Sequence, residues 1–200
     1  MKQLVIGGAR SGKSRLAQEY AVTWQAQTQG DVIVIATAEV SEGAMAKRIA
    51  HHKSHRPKGW RVIETCLDLP QALIEHSKCN NLILVDCLTL WLSNCLLSEV
   101  SWQQHKQALL AAMTQLPGEV IFISNEVGQG IVPLGELSRE FVDESGWLHQ
   151  ALAKQVDKVT MAVAGLPLVL KSPAQTLLEP ICEQTSSVNT HAAINQSMEA

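Results

Sequence analysis

Residues 7–14 read Gly7-Gly8-Ala9-Arg10-Ser11-Gly12-Lys13-Ser14 and complete the pattern G-x-x-x-x-G-K-[ST]. Backbone N–H groups of such a loop can surround phosphate oxygens, and the helix that follows adds the partial positive charge of its N-terminus. A lysine at the position of Lys13 can reach the β- and γ-phosphates, and a hydroxyl at the position of Ser14 can ligate Mg²⁺. The other reading is an ordinary glycine-rich turn, but the loop stands between the apolar run Leu4-Val5-Ile6 and the helix-like stretch Arg15–Ala21. That context predicts a nucleoside triphosphate as ligand.

Two further places carry chemistry. The run Leu82-Ile83-Leu84-Val85 ends in Asp86. An acid after four apolar strand residues is suited to hold Mg²⁺ directly or through water, whereas the plainer alternative is a cap on the next helix. The segment Arg48-Ile49-Ala50-His51-His52-Lys53-Ser54-His55-Arg56-Pro57 sets three histidines among cations. A metal site lacks the glutamate or cysteine that would complete a ligand set. A solvated basic helix end stopped by Pro57 is the bland reading. The third is an imidazole nucleophile that attacks phosphorus and forms a phosphoramidate amid phosphate-binding cations. Met45, Ile49 and His52 fall at i, i+4 and i+7, so His52 continues the stripe expected to face the protein body.

Positioning these groups requires strands that end at one edge. Gln3–Ile6, Asp31–Ala36, Trp60–Thr65, Asn81–Val85, Val120–Ser124 and Lys158–Val163 read as strands, most of them near-continuous apolar runs. Lys13–Gln27, Gly43–Ser54, Leu69–Lys78, Leu90–Leu97, Trp102–Gln115 and Glu136–Gln155 read as helices. The alternation predicts a three-layer α/β domain with a mostly parallel central sheet, spanning 1–171. Ligands in such sheets sit beyond the carboxyl ends of the strands. There lie the phosphate loop, Thr37-Ala38-Glu39, Asp86, and a loop Ser124–Pro133 shaped by two glycines and a proline. The chemistry of that last loop is not legible from its residues. From about Ser172 the pattern fades into a polar tail, 172–200, expected to be mobile and outside the catalytic unit.

Composition narrows the alternatives. The 200 residues suit one domain, and 46% hydrophobic with 18% charged residues suits a soluble globular protein. A net charge of -3 gives no reason to expect nucleic acid as a partner. No apolar run approaches the ~20 residues of a membrane span, and no signal-peptide pattern precedes the first strand. Cys66, Cys79, Cys87, Cys95 and Cys182 show no C-x-x-C spacing, which favours free thiols in a reducing cytoplasm.

In order along the chain stand G-G-A-R-S-G-K-S, R-I-A-H-H-K-S-H-R-P-K-G-W, L-V-D-C-L-T and N-E-V-G-Q-G-I-V-P. Together these resemble the bifunctional adenosylcobinamide kinase/adenosylcobinamide-phosphate guanylyltransferase family of cobalamin biosynthesis, over residues 1 to about 170. The set is specific, although the phosphate loop alone is shared by thousands of proteins. The resemblance implies a P-loop NTPase-type fold, a trimer, and two reactions. In the first, a nucleoside triphosphate, ATP or GTP, phosphorylates the aminopropanol hydroxyl of adenosylcobinamide. In the second, GMP passes from GTP through a histidine–GMP intermediate to give adenosylcobinamide-GDP. The matching nucleophile is His52, with His51 one residue away as the alternative. Carried over likewise, Thr37, Ala38, Glu39, Lys53, Ser54, His55, Arg56 and Glu64 line the nucleotide site, and Ser14 and Asp86 hold Mg²⁺. This sequence departs from the family pattern at Asp86, where Glu is more common, and in the tail. Trp60, Trp91, Trp102 and Trp147 offer apolar surface for the corrinoid, yet each alone reads more simply as core. A single-function P-loop kinase would leave the His52 segment without a role. A GTP-binding switch protein would require an N/T-K-x-D signature, which Asn125-Glu126-Val127-Gly128 does not match.

Overall fold

The computed structural model describes residues 1–38, 57, 59–131 and 134–173. The described residues form seven strands: β1 (Lys2–Gly7), β2 (Asp31–Ala36), β3 (Arg61–Glu64), β4 (Asn81–Asp86), β5 (Glu119–Asn125), β6 (Lys158–Val163) and β7 (Leu166–Lys171). The described helices are α1 (Lys13–Thr28), α2 (Leu69–His76), α3 (Leu88–Leu97), α4 (Trp102–Met113) and α5 (Glu136–Gln155). The strands form one sheet in the order β3-β2-β4-β5-β1-β6-β7, parallel except for the β6–β7 pair. The expected helix Gly43–Ser54 lies outside the described residues.

Burial on both faces explains the apolar strands. Ile33, Ile35, Ile83, Val85, Val120 and Phe122 pack with α2, α3, α4 and α5 on one side of the sheet. Val32, Val34, Leu82, Leu84, Ile121 and Ile123 pack with Ala17, Ala21 and Trp24 of α1 on the other. The strand period of two divides each run between two helical layers, the three-layer arrangement that the sequence predicts.

Two polar devices tie helices to this frame. Glu144 of α5 is 6% exposed and accepts from Trp102 Nε1 at 2.6 Å, Gln103 Nε2 at 2.8 Å and Lys106 Nζ at 2.9 Å, all on α4. Glu119, at the start of β5, accepts from Trp24 Nε1 at 3.0 Å and Tyr20 Oη at 3.2 Å on α1. Burial, with the Glu119 charge beside it, pushes the Tyr20 phenol up to about 12.

Strand β7 is the element that the sequence pattern did not disclose. Ala164 and Gly165 turn the chain with φ of 51° and 82°, the backbone signature of a two-residue hairpin whose twist matches its strands. Its residues Leu166, Leu168, Val169 and Leu170 are exposed, so neither burial nor alternation marks it as a strand in the sequence. Of the tryptophans, Trp60, Trp91 and Trp102 are core, whereas Trp147 is 55% exposed. Cys66, Cys79, Cys87 and Cys95 are not joined in disulfides. Among the described residues, no helix is long and apolar enough to cross a membrane.

Candidate nucleotide site

The loop between β1 and α1 has the backbone that a phosphate cradle requires. A Cβ on Gly7 would stand 2.5 Å from Ser11 Oγ and 2.6 Å from the Ala162 carbonyl, so only glycine fits. Arg10 and Gly12 take positive φ, 57° and 94°, which folds the loop back on itself. Gly12 caps α1 with that left-handed geometry, and Lys13 is the first helical residue. Lys13 is 8% exposed, and its Nζ donates to the Gly8 carbonyl at 3.1 Å across the loop. An ordinary glycine-rich turn would give the lysine no reason to be folded inside it.

The loop is braced from behind by the β6–β7 turn. Gly165 N donates to Ser11 O at 2.9 Å, and Arg15 Nη2 donates to Gly165 O at 2.9 Å.

Asp86 is the last residue of β4, and the peptide that follows it is cis. It shares the alternation of Leu82 and Leu84, both in the cluster around α1, and so faces the side of the sheet from which the phosphate loop rises. Helix α3 begins at Leu88 with Cys87 as its N-cap residue and no side-chain cap. The N-cap position thus falls one residue past Asp86. Burial first, and then the Asp86 carboxylate, push the Cys87 thiol pKa up, while Lys13 acts in the opposite direction. Cys87 thus lies within the electrostatic reach of both the acid and the phosphate-loop lysine.

Thr37, fully buried just after β2, locks this corner together. Its Oγ1 donates to Cys87 O at 2.6 Å and accepts from Cys87 N at 3.0 Å, while its own N donates to Asp86 O at 3.3 Å. Asn94 of α3 donates to Thr37 O at 2.8 Å and to Cys66 O at 3.1 Å. The Thr37 hydroxyl is thus engaged with the β4 tip, holding the chain that carries Asp86. Ala38 follows it, half-buried, and Glu64 is exposed at the end of β3, paired in register with Ala36. Gly7, Gly8, Ala9, Arg10, Ser11, Gly12, Lys13, Ser14, Thr37, Ala38, Glu64 and Asp86 therefore all stand at the carboxyl edge of the sheet or on the loop that tops it. Glu39, His51, His52, Lys53, Ser54, His55 and Arg56 lie outside the described residues.

Strand β5 supplies polar groups to which the sequence attached no role. Because β5 runs between β1 and β4, its end separates the phosphate loop from Asp86. Asn125 is paired in register with Gly7, and Glu126 N donates to Gly7 O at 3.0 Å. His149 of α5 approaches Ser124 Oγ at 2.7 Å through Nε2 and Glu126 Oε2 at 3.7 Å through Nδ1. The signal available in the sequence was a polar run directly after an apolar strand. Nothing local pointed to His149, which is 25 residues farther on.

A cleft of about 290 Å³, lined by Gln25, Asp31, Arg61, His76 and Lys78 among others, lies toward the amino ends of β2 and β4. It is therefore remote from the phosphate loop.

The profile of the family described as cobinamide kinase / cobinamide phosphate guanyltransferase matches residues 3–170. A bifunctional adenosylcobalamin biosynthesis protein, CobP, of Pseudomonas aeruginosa is 49% identical over 173 residues, covering 86% of this chain and 98% of its own. The bifunctional adenosylcobalamin biosynthesis proteins CobU of Escherichia coli and Salmonella typhimurium are 34% and 36% identical over 186 residues, each covering 86% of this chain and 100% of its own. Among solved structures, the flagellar accessory protein FlaH from Methanocaldococcus jannaschii aligns with a TM-score of 0.45 at 16% identity, covering 86% of this chain and 78% of that one. A match across residues 3–170, joined to relatives aligned over nearly their whole length, places this chain in the cobinamide kinase / cobinamide phosphate guanyltransferase family of enzymes.

Proposed function

We propose that this protein phosphorylates the aminopropanol hydroxyl of adenosylcobinamide and then transfers GMP from GTP to the product, forming adenosylcobinamide-GDP. The observation that carries the reading is a complete phosphate loop, with Lys13 folded inside it and Asp86 on the same face, in a chain of this family. Lys13 moves from the Gly8 carbonyl to the nucleotide phosphates. Loop N–H groups and the α1 N-terminus hold the remaining phosphate charge.

The residues present fit Mg²⁺. Ser14 offers a hydroxyl and Asp86 a carboxylate, both hard oxygen donors. A cation that keeps several waters and binds substrate phosphates needs few protein ligands. Bound there, Mg²⁺ would neutralise charge developing between the β- and γ-phosphates.

For guanylyl transfer we propose His52 as the nucleophile. Neutral imidazole nitrogen bonds to the α-phosphorus as the α–β P–O bond breaks and pyrophosphate leaves. The GMP then passes to a phosphate oxygen of adenosylcobinamide phosphate and the imidazole is regenerated. Glu39, Lys53, Ser54, His55, Arg56 and Glu64 belong to this reading as guanylate contacts, with a homotrimer in the cytoplasm as the working form. The domain extends over 1–171, with 172–200 as a tail outside the catalytic unit.

The deciding experiment is incubation with Mg²⁺ and GTP labelled at either the α or the γ position, followed by denaturation. Label retained from the α position alone is the expected result. Retention of neither label would leave the phosphoryl-transfer half of the proposal and remove the covalent half.

A further inference from the structure

A buried chain of side chains runs from helix α5 to the edge of the phosphate loop. His149 Nε2 lies 2.7 Å from Ser124 Oγ, Ser124 Oγ lies 3.3 Å from Thr89 Oγ1, and Thr89 Oγ1 accepts from Asn125 N at 2.7 Å. At the other end of the imidazole, Nδ1 lies 3.7 Å from Glu126 Oε2. Glu126 is itself held, its Oε1 accepting from Gly128 N at 2.8 Å. Ser124 is 1% and His149 8% exposed. Although the Ser124–His149–Glu126 order is that of a hydrolytic triad, a hydroxyl so enclosed cannot attack a substrate.

The product of this chain is the placement of Asn125. It continues the alternation of Ile121 and Ile123, which pack with α1, and so faces the nucleotide side of the sheet. Its register partner is Gly7, whereas Asp86 is paired with Ile123 two residues earlier. Asn125 Oδ1 is buried and has no hydrogen-bond partner among the described residues, and Ser11 Oγ, on the other side of Gly7, is in the same condition. A buried amide oxygen without a donor is costly, and such an atom at a substrate edge is explained by a donor that arrives with the substrate.

We propose that Asn125 contacts the substrate in phosphoryl transfer and that His149, through Ser124 and Thr89, is the residue that positions it. This rests on the kinase reading of the same site. Phosphate oxygens accept hydrogen bonds and cannot serve Oδ1, whereas an O–H group can: the acceptor alcohol or a water held by the metal. With the alcohol oriented in line, its oxygen bonds to the γ-phosphorus as the β–γ P–O bond breaks. The nucleoside diphosphate leaves with that electron pair. The hydroxyl proton passes to an oxygen of the transferred phosphoryl group, because an amide can orient a proton but not take it. Burial pushes the His149 pKa down, against the pull of the Glu126 carboxylate. The imidazole is therefore neutral near pH 7, with Nδ1–H toward Glu126 and Nε2 free to accept the Ser124 hydroxyl.

The test uses the full-length enzyme, measuring kcat and both KM values for adenosylcobinamide phosphorylation beside thermal melting. Asn125→Ala is expected to lower kcat by at least about tenfold, with nucleotide KM within about twofold and a melting temperature no lower than that of the unmodified enzyme, since a buried acceptor without a donor is removed. His149→Phe and Ser124→Ala should lower kcat in the same way. His149→Gln, which retains a hydrogen-bonding group toward Ser124, should recover most of it. Asn125→Ala/His149→Phe should be no slower than Asn125→Ala alone, as for two residues acting in one chain. An increased Mg²⁺ requirement in Asn125→Ala assigns Oδ1 to metal-bound water, and an unchanged one assigns it to the alcohol. Should His149→Phe not fold, Ser124→Ala carries the same comparison. Wild-type kcat in Asn125→Ala, or losses that multiply in the double variant, would overturn the proposal. If the unmodified enzyme does not phosphorylate adenosylcobinamide, it is the kinase reading that fails.

Discussion

Gly165 and Ser11 are joined by a backbone hydrogen bond of 2.9 Å, which fastens the β6–β7 turn to the phosphate loop. The contact is close on both sides: a Cβ on Gly12 would lie 3.1 Å from the Gly165 Cα. Gly165 has a φ of 82°, a region that costs an L-residue about 1–2 kcal/mol and a β-branched one more. Gly165→Val should therefore lower stability by about that amount and raise nucleotide KM several-fold, because the loop loses its brace. Gly165→Asn, which tolerates this backbone, should lie between the two in both measurements. Nucleotide titration and chemical denaturation of the two variants provide the check.

Lys13 is the one cation folded inside the described phosphate loop, against the Gly8 carbonyl. Lys13→Ala should reduce phosphorylation and guanylyl transfer together by roughly 10²-fold or more, since fixed charge at a developing phosphoryl transition state is lost. Asp86→Asn should raise the Mg²⁺ concentration needed for half-maximal rate while circular dichroism remains that of the unmodified protein. Initial rates over a Mg²⁺ series separate the two effects.

Glu144 links folding to pH. Burial works to raise its pKa, but hydrogen bonds from Trp102, Lys106 and Gln103 and the Lys106 charge win, holding it below the ordinary value of 4.5. A carboxyl with a depressed folded pKa contributes stability that is complete above its unfolded value. That stability is lost as pH falls through the lower folded value. Denaturation midpoints should thus fall below about pH 4.5, and Glu144→Leu should flatten part of that decline. At pH 7 the same variant should be less stable by about 1–3 kcal/mol, as the buried Trp102 donor loses its acceptor.

Legibility in the sequence followed locality. The phosphate loop, the strand ending in Asp86 and the alternation of strands with helices are written in contiguous residues, and they appear in the structure where spacing put them. Strand β7 was missed because its residues Leu166–Lys171 are largely exposed and its pairing is set by the Ala164-Gly165 turn. The Thr37–Cys87 and Ser124–His149 bonds were beyond reach for another reason. They join residues 50 and 25 positions apart, and only the sheet order brings them together. Asn125 shows the limit most clearly. It opens the motif N-E-V-G-Q-G-I-V-P, yet its spacing assigns it no role, and its place beside Gly7 comes from β5 lying between β1 and β4.

Truncation after Ser172 should leave kcat and the sedimentation coefficient unchanged. Among the described residues β7 is the last strand of the sheet that carries the site, and Lys171 Nζ ties its end to Ala153 O at 2.9 Å and Val156 O at 2.6 Å. A truncated protein that dissociates or loses activity would assign the tail a part in assembly or catalysis.

The two chemistries should separate at His52. Guanylate from α-labelled GTP is expected on the protein in a bond that is labile to acid and stable to alkali, as a phosphoramidate is. His52→Ala should abolish that label and the transfer of GMP to adenosylcobinamide phosphate. The same variant should still phosphorylate adenosylcobinamide, because phosphoryl transfer at the loop needs positioning and charge stabilisation rather than a protein nucleophile. His51→Ala serves as the neighbouring control and should keep both activities. If instead His51→Ala loses the label and His52→Ala keeps it, the nucleophile is the adjacent histidine and the covalent mechanism stands. Full guanylyl transfer in both variants would reject a histidine intermediate from this segment and direct attention to direct attack by the substrate phosphate on GTP.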